Sequence, residues 1–408
     1  MGIPAPQSGV NAIRQSGLVL PSAPSLLPQC ISFSQSIVGL GALSSLGHDV
    51  EAHFDAISTG RTGIHALGGL LGNDSLHAAR PGAWISPREL LTNRKWSPAS
   101  MAALHVAREA VAASGWGKDE LRDTALIVGT SRGNAAGWLS PWPGRRPFRL
   151  MAASNTIHSE PSTAVSIELG ILGPNHVVAS GCSAGLDALG LAKLLLDSRQ
   201  AKRALVVAVD LPLVPVLLDN YASSGLLAES SPLNPFSSGA CGFIPAEGAA
   251  AIALSSGQQG DIELLHFSNN SDGADPVGIP QGGGRTSELL DGAIRLTGSP
   301  AAICPHATGT KIQARAERAF LGALPGDKPT LHLLKPYFGH TVGASGLLES
   351  TVLLRFMQDS RLPPNLPGTL GAGGMEAPAE AIACSGNVFK LAHGMGGHNA
   401  LAVFRQTT

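Results

Sequence analysis

The feature that most restricts the fold of this chain is a repeated alternation of short apolar runs with helix-like stretches. Ala125 to Val128, His176 to Ala179, Leu205 to Val209 and Ala249 to Leu254 are each short, apolar and bounded by Gly, Pro, Ser or charge, the pattern of strands buried on both faces. Ile37-Val38-Gly39-Leu40-Gly41 reads as a further strand running into a glycine turn, followed by a helical stretch near Asp49 to Ser58. Helical stretches at Ser100 to Ser114 and Gly185 to Leu196 lie between the strands. This order predicts βα units around a largely parallel sheet with helices on both faces. The same grammar restarts after residue 256, with Asp261 to Phe267, a Gly-rich loop at 273 to 284, a helix over Thr286 to Leu296 and a strand pair near Gly386 to Phe404. Two similar halves, 31–255 and 256–408, are therefore expected behind a Pro- and Ser-rich leader at 1–30. A chain of 408 residues exceeds the length at which one core usually stops growing. No repeat is visible at the residue level.

Composition narrows the function. With 44% hydrophobic and 14% charged residues the chain is not disordered, and its 50 glycines follow no Gly-X-Y period. Aromatic residues at 4% and a net charge of −1 offer neither a stacking platform for single strands nor an electrostatic footprint for duplexes, so no nucleic-acid partner is expected. Cys30, Cys182, Cys241, Cys304 and Cys384 are widely spaced, odd in number and form no C-x-x-C pair. That spacing argues against a zinc site or a disulfide framework and fits a reducing, cytoplasmic compartment. The first thirty residues lack a basic start followed by an apolar block, no run is long enough to span a membrane, and Pro6 stands where N-myristoylation wants Ser or Thr.

Chemistry concentrates in three segments. Val177-Val178-Ala179-Ser180-Gly181-Cys182-Ser183-Ala184-Gly185 places a cysteine where an apolar strand ends and a small-residue turn feeds a helix, the geometry of a nucleophile elbow. The positive end of that helix is expected to lower the thiol pKa and favour thiolate. His306 lies in Pro305-His306-Ala307-Thr308-Gly309-Thr310 and His340 ends Lys335-Pro336-Tyr337-Phe338-Gly339-His340. Loops of this kind bring imidazoles close to a ligand, where neutral rings can hydrogen-bond a thioester carbonyl.

These three segments resemble the β-ketoacyl synthase family of condensing enzymes, in the same order and at similar spacings. The resemblance extends from about residue 37 to the C-terminus through Gly39 to Gly47, Gly173-Pro174-Asn175, Glu247-Gly248, Pro363-Pro364 and Gly394-Met395-Gly396-Gly397-His398-Asn399. It implies a thiolase-like, duplicated, five-layered αβαβα fold. It implies that Cys182 is acylated and that His306 and His340 stabilise the enolate formed when a malonyl-type extender loses carbon dioxide. Lys335 and Glu317 fall on a family lysine and glutamate expected to pair behind the histidine loops, with Thr308 and Thr310 in support. The backbone amides of Cys182 and Met395 would form an oxyanion hole, with Gly394, Met395 and Gly396 as a gate. No permanently bound cofactor or metal is implied, since substrates travel on the phosphopantetheine of an acyl carrier protein. A homodimer, or a heterodimer with a second ketosynthase-like subunit, would be the assembly.

The sequence departs from the family where Pro235-Phe236-Ser237 replaces Pro-Phe-Asp, where Ala240-Cys241-Gly242 replaces Arg-Asp-Gly, and at Ala314, where an aspartate is usual. Met395 takes the place of an aromatic gate residue and His393 that of a neighbouring phenylalanine. Arg145, Arg146 and Arg149 form a basic cluster suited to docking an acidic carrier. The expected activity is that of a 3-oxoacyl-[acyl-carrier-protein] synthase, in polyketide, polyene or specialised fatty-acid synthesis. The alternatives are an acyltransferase on the same fold that needs no decarboxylation, and a chain-length partner subunit, which would usually lack the nucleophile.

Overall fold

The computed structural model describes residues 34–134, 154, 157–231, 234–280 and 282–407. Ten strands form one hydrogen-bonded sheet: β1 (Gln35–Ser44), β2 (Ala125–Gly129), β3 (Asn175–Val178), β4 (Arg203–Asp210), β5 (Gly248–Ser255), β6 (Ile262–Ser271), β7 (Pro300–Cys304), β8 (Thr330–Leu331), β9 (Asn387–Gly394) and β10 (His398–Gln406). Their spatial order is β8-β7-β9-β10-β6-β1-β5-β4-β2-β3. The first five strands in the chain lie in the order 3-2-4-5-1 from one edge inward, and the second five repeat that order from the other edge. Directions repeat as well: in each set the outer three strands are parallel and the last two join antiparallel. Among the described residues the two sets pair through Gln35, Ser36 and Ile37 of β1 against Leu264, Glu263 and Ile262 of β6. The duplication is therefore carried by topology, although no residue-level repeat exists.

The sheet is mixed, not largely parallel. Apolar runs reveal that a strand is buried on both faces but not which way it runs, and the return from β9 to β10 through the glycine turn at 394–397 reverses direction.

Alternating side chains on each strand build separate cores. On β2, Ile127 joins a central cluster with Leu186 and Leu189 of α4 (Ala184–Asp197) and Leu347 and Val352 of α8 (Ser345–Gln358). Its neighbours Leu126 and Val128 face the opposite way, onto α2 (Pro98–Ser114) and α3 (Glu160–Leu169). In the second half Ala302 and Ala402 face the central helices, whereas Ile303, Leu401 and Val403 pack on Leu289, Leu290, Phe320 and Leu321 of α6 (Thr286–Thr297) and α7 (Lys311–Gly322). Outer helices, sheet, central helices, sheet and outer helices make the five layers. Two shorter helices, α1 (Val50–Ser58), capped by Asp49 accepting from the Ala52 amide at 2.7 Å, and α5 (Pro215–Ser223), complete the scaffold used below.

Gly39 and Gly41 have a specific reason. A Cβ at either position would run into the carbonyl oxygen of Ala110 or Val106, so their absence of side chains lets α2 lie directly on β1. Gly41→Ala is expected to destabilise the fold by about 1–3 kcal/mol, measured as a lower urea unfolding midpoint. An unchanged midpoint would show that α2 can move away without cost.

Candidate active site

Cys182 sits where β3 ends. Gly181 adopts φ +66, a left-handed conformation that L side chains rarely take, and opens the turn Gly181–Ser183 that leads into α4. Asp187, in the first turn of α4, fastens this elbow by accepting hydrogen bonds from Ser180 Oγ, from Ser183 Oγ at 2.8 Å and from Asn269 Nδ2 at 3.0 Å. The sulfur is buried, and desolvation together with the Asp210 carboxylate pushes the thiol from 9.0 up to about 12. This corrects the expected resting thiolate. Raising a thiol that far corresponds to about 4 kcal/mol, whereas a helix N-terminus supplies at most about 2 kcal/mol. Burial wins, and the resting group is a thiol.

The second half repeats the elbow. After β8, His340 precedes Val342, which adopts φ +49 and opens the turn Val342–Ala344 into α8. Gly181 and Val342 hold equivalent places, and here a β-branched residue is held in a conformation costing of order 1–3 kcal/mol. The two helix starts meet: a Cβ on Gly185 would lie 2.8 Å from the Gly343 carbonyl oxygen. Asp210, at the end of β4, ties the loops together by accepting from the backbone amides of Ser131 (2.8 Å), Arg132 (2.9 Å) and Gly343 (2.7 Å) and from Thr130 Oγ1 (3.0 Å).

This arrangement brings His340 Nε2 to 3.2 Å from Cys182 Sγ, with His340 Nδ1 3.3 Å from Ser345 Oγ. Ser345 in turn donates to Glu349, whose carboxyl is held down at about 2 by the lysines beside it, against the opposing effect of burial. Because an ionised carboxylate can only accept, the serine proton points to Glu349 and its oxygen accepts from Nδ1–H. His340 Nε2 is left as the acceptor for the thiol.

Lys335 does not pair with Glu317 as the resemblance implied. Its Nζ lies 2.6 Å from Glu349 Oε1, and Lys390 Nζ lies 2.8 Å from Oε2, all three side chains being at most 1% exposed. Glu349 projects from α8 one turn past Ser345, directly behind His340. Glu317 instead accepts from the Ala307 amide at 3.0 Å to each oxygen, and so anchors the His306 loop through its backbone. Burial raises the Glu317 carboxyl to about 7. Ala307 has φ +42, a second non-glycine left-handed residue beside a histidine.

His306 and His340 are buried, with ring centroids 5.2 Å apart and planes at 88°. Desolvation, then the charge of Lys335, lowers both pKa values well below 6.5, so both imidazoles are neutral. His306 Nδ1 is buried and has no hydrogen-bond partner among the described residues. A bare lone pair is the cheaper group to leave unsatisfied there, which puts the proton on Nε2. Donor atoms of Cys182, His306 and His340 lie within 4.8 Å of one another and line a common cavity of about 90 Å³. Among the described residues this is the set of clustered side chains with metal-ligand chemistry, and no carboxylate joins it.

Thr308 and Thr310 line the cavity too, their hydroxyls 3.3 Å apart, and Thr310 caps α7 by accepting from the Gln313 amide. The Gly394-Met395-Gly396 segment crosses the elbow: a Cβ on Gly181 would lie 3.6 Å from the Met395 amide nitrogen. Met395 is 38% exposed at the cavity mouth. His393 is fixed on both ring nitrogens, by Gln313 Nε2 at 2.9 Å and Thr286 Oγ1 at 3.0 Å. Ala314 packs into the outer core, Ala240 is buried, Ser237 donates its amide to Asn234, and Cys241 is exposed. Cys182, Cys241, Cys304 and Cys384 are free thiols. Arg145, Arg146, Arg149 and Cys30 lie outside the described residues.

Sequence reasoning missed Glu349, Lys390, Asp187, Asp210 and Gln313. The one legible signal was Ser345 and Glu349, spaced i, i+4 on a helix that starts five residues after His340.

Family models described as Beta-ketoacyl synthase, N-terminal domain and Beta-ketoacyl synthase, C-terminal domain match residues 36–260 and 262–369. The chain belongs to the β-ketoacyl synthase family. The chain is 27% identical over 364 residues to Polyketide synthase ThaG of Burkholderia thailandensis, an alignment covering 81% of this chain but 6% of that much longer protein. It is 26% identical to the Tetracenomycin polyketide synthase ketoacyl synthase alpha subunit of Streptomyces glaucescens, covering 80% of this chain and 85% of the relative. A third relative, 3-oxoacyl-[acyl-carrier-protein] synthase 2 of Rhizobium meliloti, is 24% identical, covering 69% and 73%. In fold the chain is similar to a type II polyketide ketosynthase solved with its acyl-carrier protein, at TM-score 0.79, 20% identity and coverage of 92% and 99%. The ishigamide ketosynthase/chain length factor gives TM-score 0.78 at 21% identity, covering 92% and 99%. Among the described residues no helix is long and apolar enough to cross a membrane.

Proposed function

We propose that this β-ketoacyl synthase takes an acyl group onto Cys182 and condenses it with a malonyl-type thioester that loses carbon dioxide, both delivered on an acyl carrier protein. The observation that carries this reading is the buried contact of Cys182 Sγ with His340 Nε2 at 3.2 Å, with His306 in the same cavity. As the sulfur attacks the incoming carbonyl, His340 takes the thiol proton and passes it to the leaving carrier thiol. The amides of Cys182 and Met395 stabilise the oxyanion. Once the sulfur is acylated, the neutral imidazoles turn to the extender: His306 donates its Nε2–H to the enolate oxygen left when carbon dioxide departs, His340 does so after its proton moves from Nδ1 to Nε2 with Ser345 turning to donate to Nδ1, and the enolate carbon attacks the acyl-cysteine. Two lysines sharing one buried glutamate leave an excess of positive charge behind the rings, which keeps them from trapping a proton. Polyketide, polyene or specialised fatty-acid synthesis is the setting, with Arg145, Arg146 and Arg149 as the carrier contact.

Intact mass after incubation with an acyl carrier thioester tests the reading: one acyl group should be gained on Cys182. A chain-length partner subunit would gain none. The high thiol pKa adds a second expectation. Alkylation of Cys182 by iodoacetamide should climb about tenfold per pH unit from 7 to 10 without levelling off, whereas a helix-stabilised thiolate would plateau. Decarboxylation of a malonyl thioester should hold its rate as pH falls to 6.5, because imidazoles whose pKa is lowered stay neutral there.

A further inference from the structure

We propose that Tyr221, backed by Arg132, forms an acyl-recognition subsite in the wall beside Cys182, selective for an acyl group that carries a hydrogen-bond-accepting oxygen. The inference rests on the acylation of Cys182 proposed above.

Arg132 follows β2 in the loop whose backbone is pinned to Asp210. Its Nε donates to Tyr221 Oη at 3.2 Å, and its guanidinium carbon lies 5.6 Å from the centre of the tyrosine ring. Beyond these contacts the guanidinium makes no hydrogen bond or ion pair among the described residues. No carboxylate is hidden elsewhere, because all 29 Asp and Glu fall within the described residues. Asp210, which pins this loop, is engaged by three backbone amides and a hydroxyl. A half-buried cation whose terminal nitrogens have no partner among the described residues is a receptor for negative charge or a hydrogen-bond acceptor beside it.

Tyr221 connects that receptor to the chemistry. It is 4% exposed, lines the cavity with Cys182, and stacks edge-on against Phe243, which itself packs edge-on against His340. Its oxygen accepts from Arg132, so its own proton remains unspent, and burial raises its pKa and keeps it a phenol. Arg132 lies close enough to stabilise negative charge on the Cys182 sulfur. The rest of the wall combines the apolar Leu226, Phe243, Val277 and Ile279 with Thr308, Thr310 and Gln313, whose polar groups bond one another or His393. A plain alkyl chain would therefore leave the buried Tyr221 O–H unpaired, whereas a keto or carboxylate oxygen would accept from it, favoured by the positive charge of Arg132 behind the phenol.

The step itself is a thioester exchange: the Cys182 Sγ–C bond forms, the donor C–S bond breaks, and the thiol proton leaves through His340 to the donor thiol. The test uses the full chain with butanoyl, 3-oxobutanoyl and succinyl thioesters of pantetheine, following acyl mass on Cys182. At least one oxygenated group should load about tenfold faster than butanoyl or better. A succinyl preference assigns the subsite to a carboxylate, a 3-oxobutanoyl preference to a ketone. The ratio should fall toward one in Arg132→Leu and in Tyr221→Phe, and recover in part in Arg132→Lys. Because each ratio is taken within one preparation, partial misfolding cancels. A ratio near one in the parent, or one preserved in both variants, overturns the subsite while acylation stands. If none of the three loads Cys182, the acylation reading fails and the subsite with it.

Discussion

Cys182→Ala is expected to abolish acyl loading completely while preserving some carbon dioxide release from a malonyl thioester. Without the sulfur no covalent intermediate can form, but His306 and His340 still face the cavity in which the extender decarboxylates. His306→Ala should do the reverse: it leaves the Cys182 and His340 contact at 3.2 Å intact, so loading persists while decarboxylation falls by about 100-fold or more. His340→Ala should impair both steps, because the same ring receives the thiol proton and faces the extender. Acyl mass and carbon dioxide must be measured separately on all three variants. If both histidine variants load and decarboxylate like the parent, the ketosynthase mechanism is wrong for this chain, and the acyltransferase or partner-subunit reading takes its place.

Glu349→Gln is expected to be the most destabilising single substitution near the site. The change leaves Lys335 and Lys390, at 1% and 0% exposure, as two buried cations with no carboxylate between them, an imbalance of the kind that costs about 3–5 kcal/mol. Thermal unfolding should shift down by about 4–6 °C. Lys390→Met separates charge balance from packing: it leaves Lys335 and Glu349 as a neutral pair 2.6 Å apart, so it should cost clearly less than Glu349→Gln. Equal melting temperatures for Glu349→Gln and the parent would mean that one lysine sheds its proton on burial and that the cluster carries no excess charge. Ser345 would also lose the carboxylate that orients it toward His340, so decarboxylation and loading should both decline in Glu349→Gln at temperatures where it remains folded.

How much of this was legible beforehand depends on the range of the interaction concerned. Strand and helix positions were readable because apolar runs and glycines act locally: the run Ala249 to Leu254 reappears inside β5, and Asp49 caps α1. The mixed strand directions were not, because a run of alanine and valine is equally buried in either sense. Helices α7 and α8 were passed over, and with them Glu349, whose role exists only because α8 stacks behind His340. The pairing of Lys335 therefore went to the wrong glutamate.

By itself the sequence determined the chemistry available: one cysteine at a small-residue elbow, two histidines in glycine-containing loops, and two stretches of the same βα grammar. Those are properties of backbone freedom and side-chain type within a few residues. Tertiary structure alone decided the protonation and partnership of those groups. Packing two five-strand sets around α4 and α8 removed water from Cys182 and made it a thiol. It placed Glu349 between two lysines and left the guanidinium of Arg132 against Tyr221, 89 residues away in the chain. Desolvation and Coulomb energies depend on which segments exclude water together, and for contacts made across such separations the chain order carries no record of that.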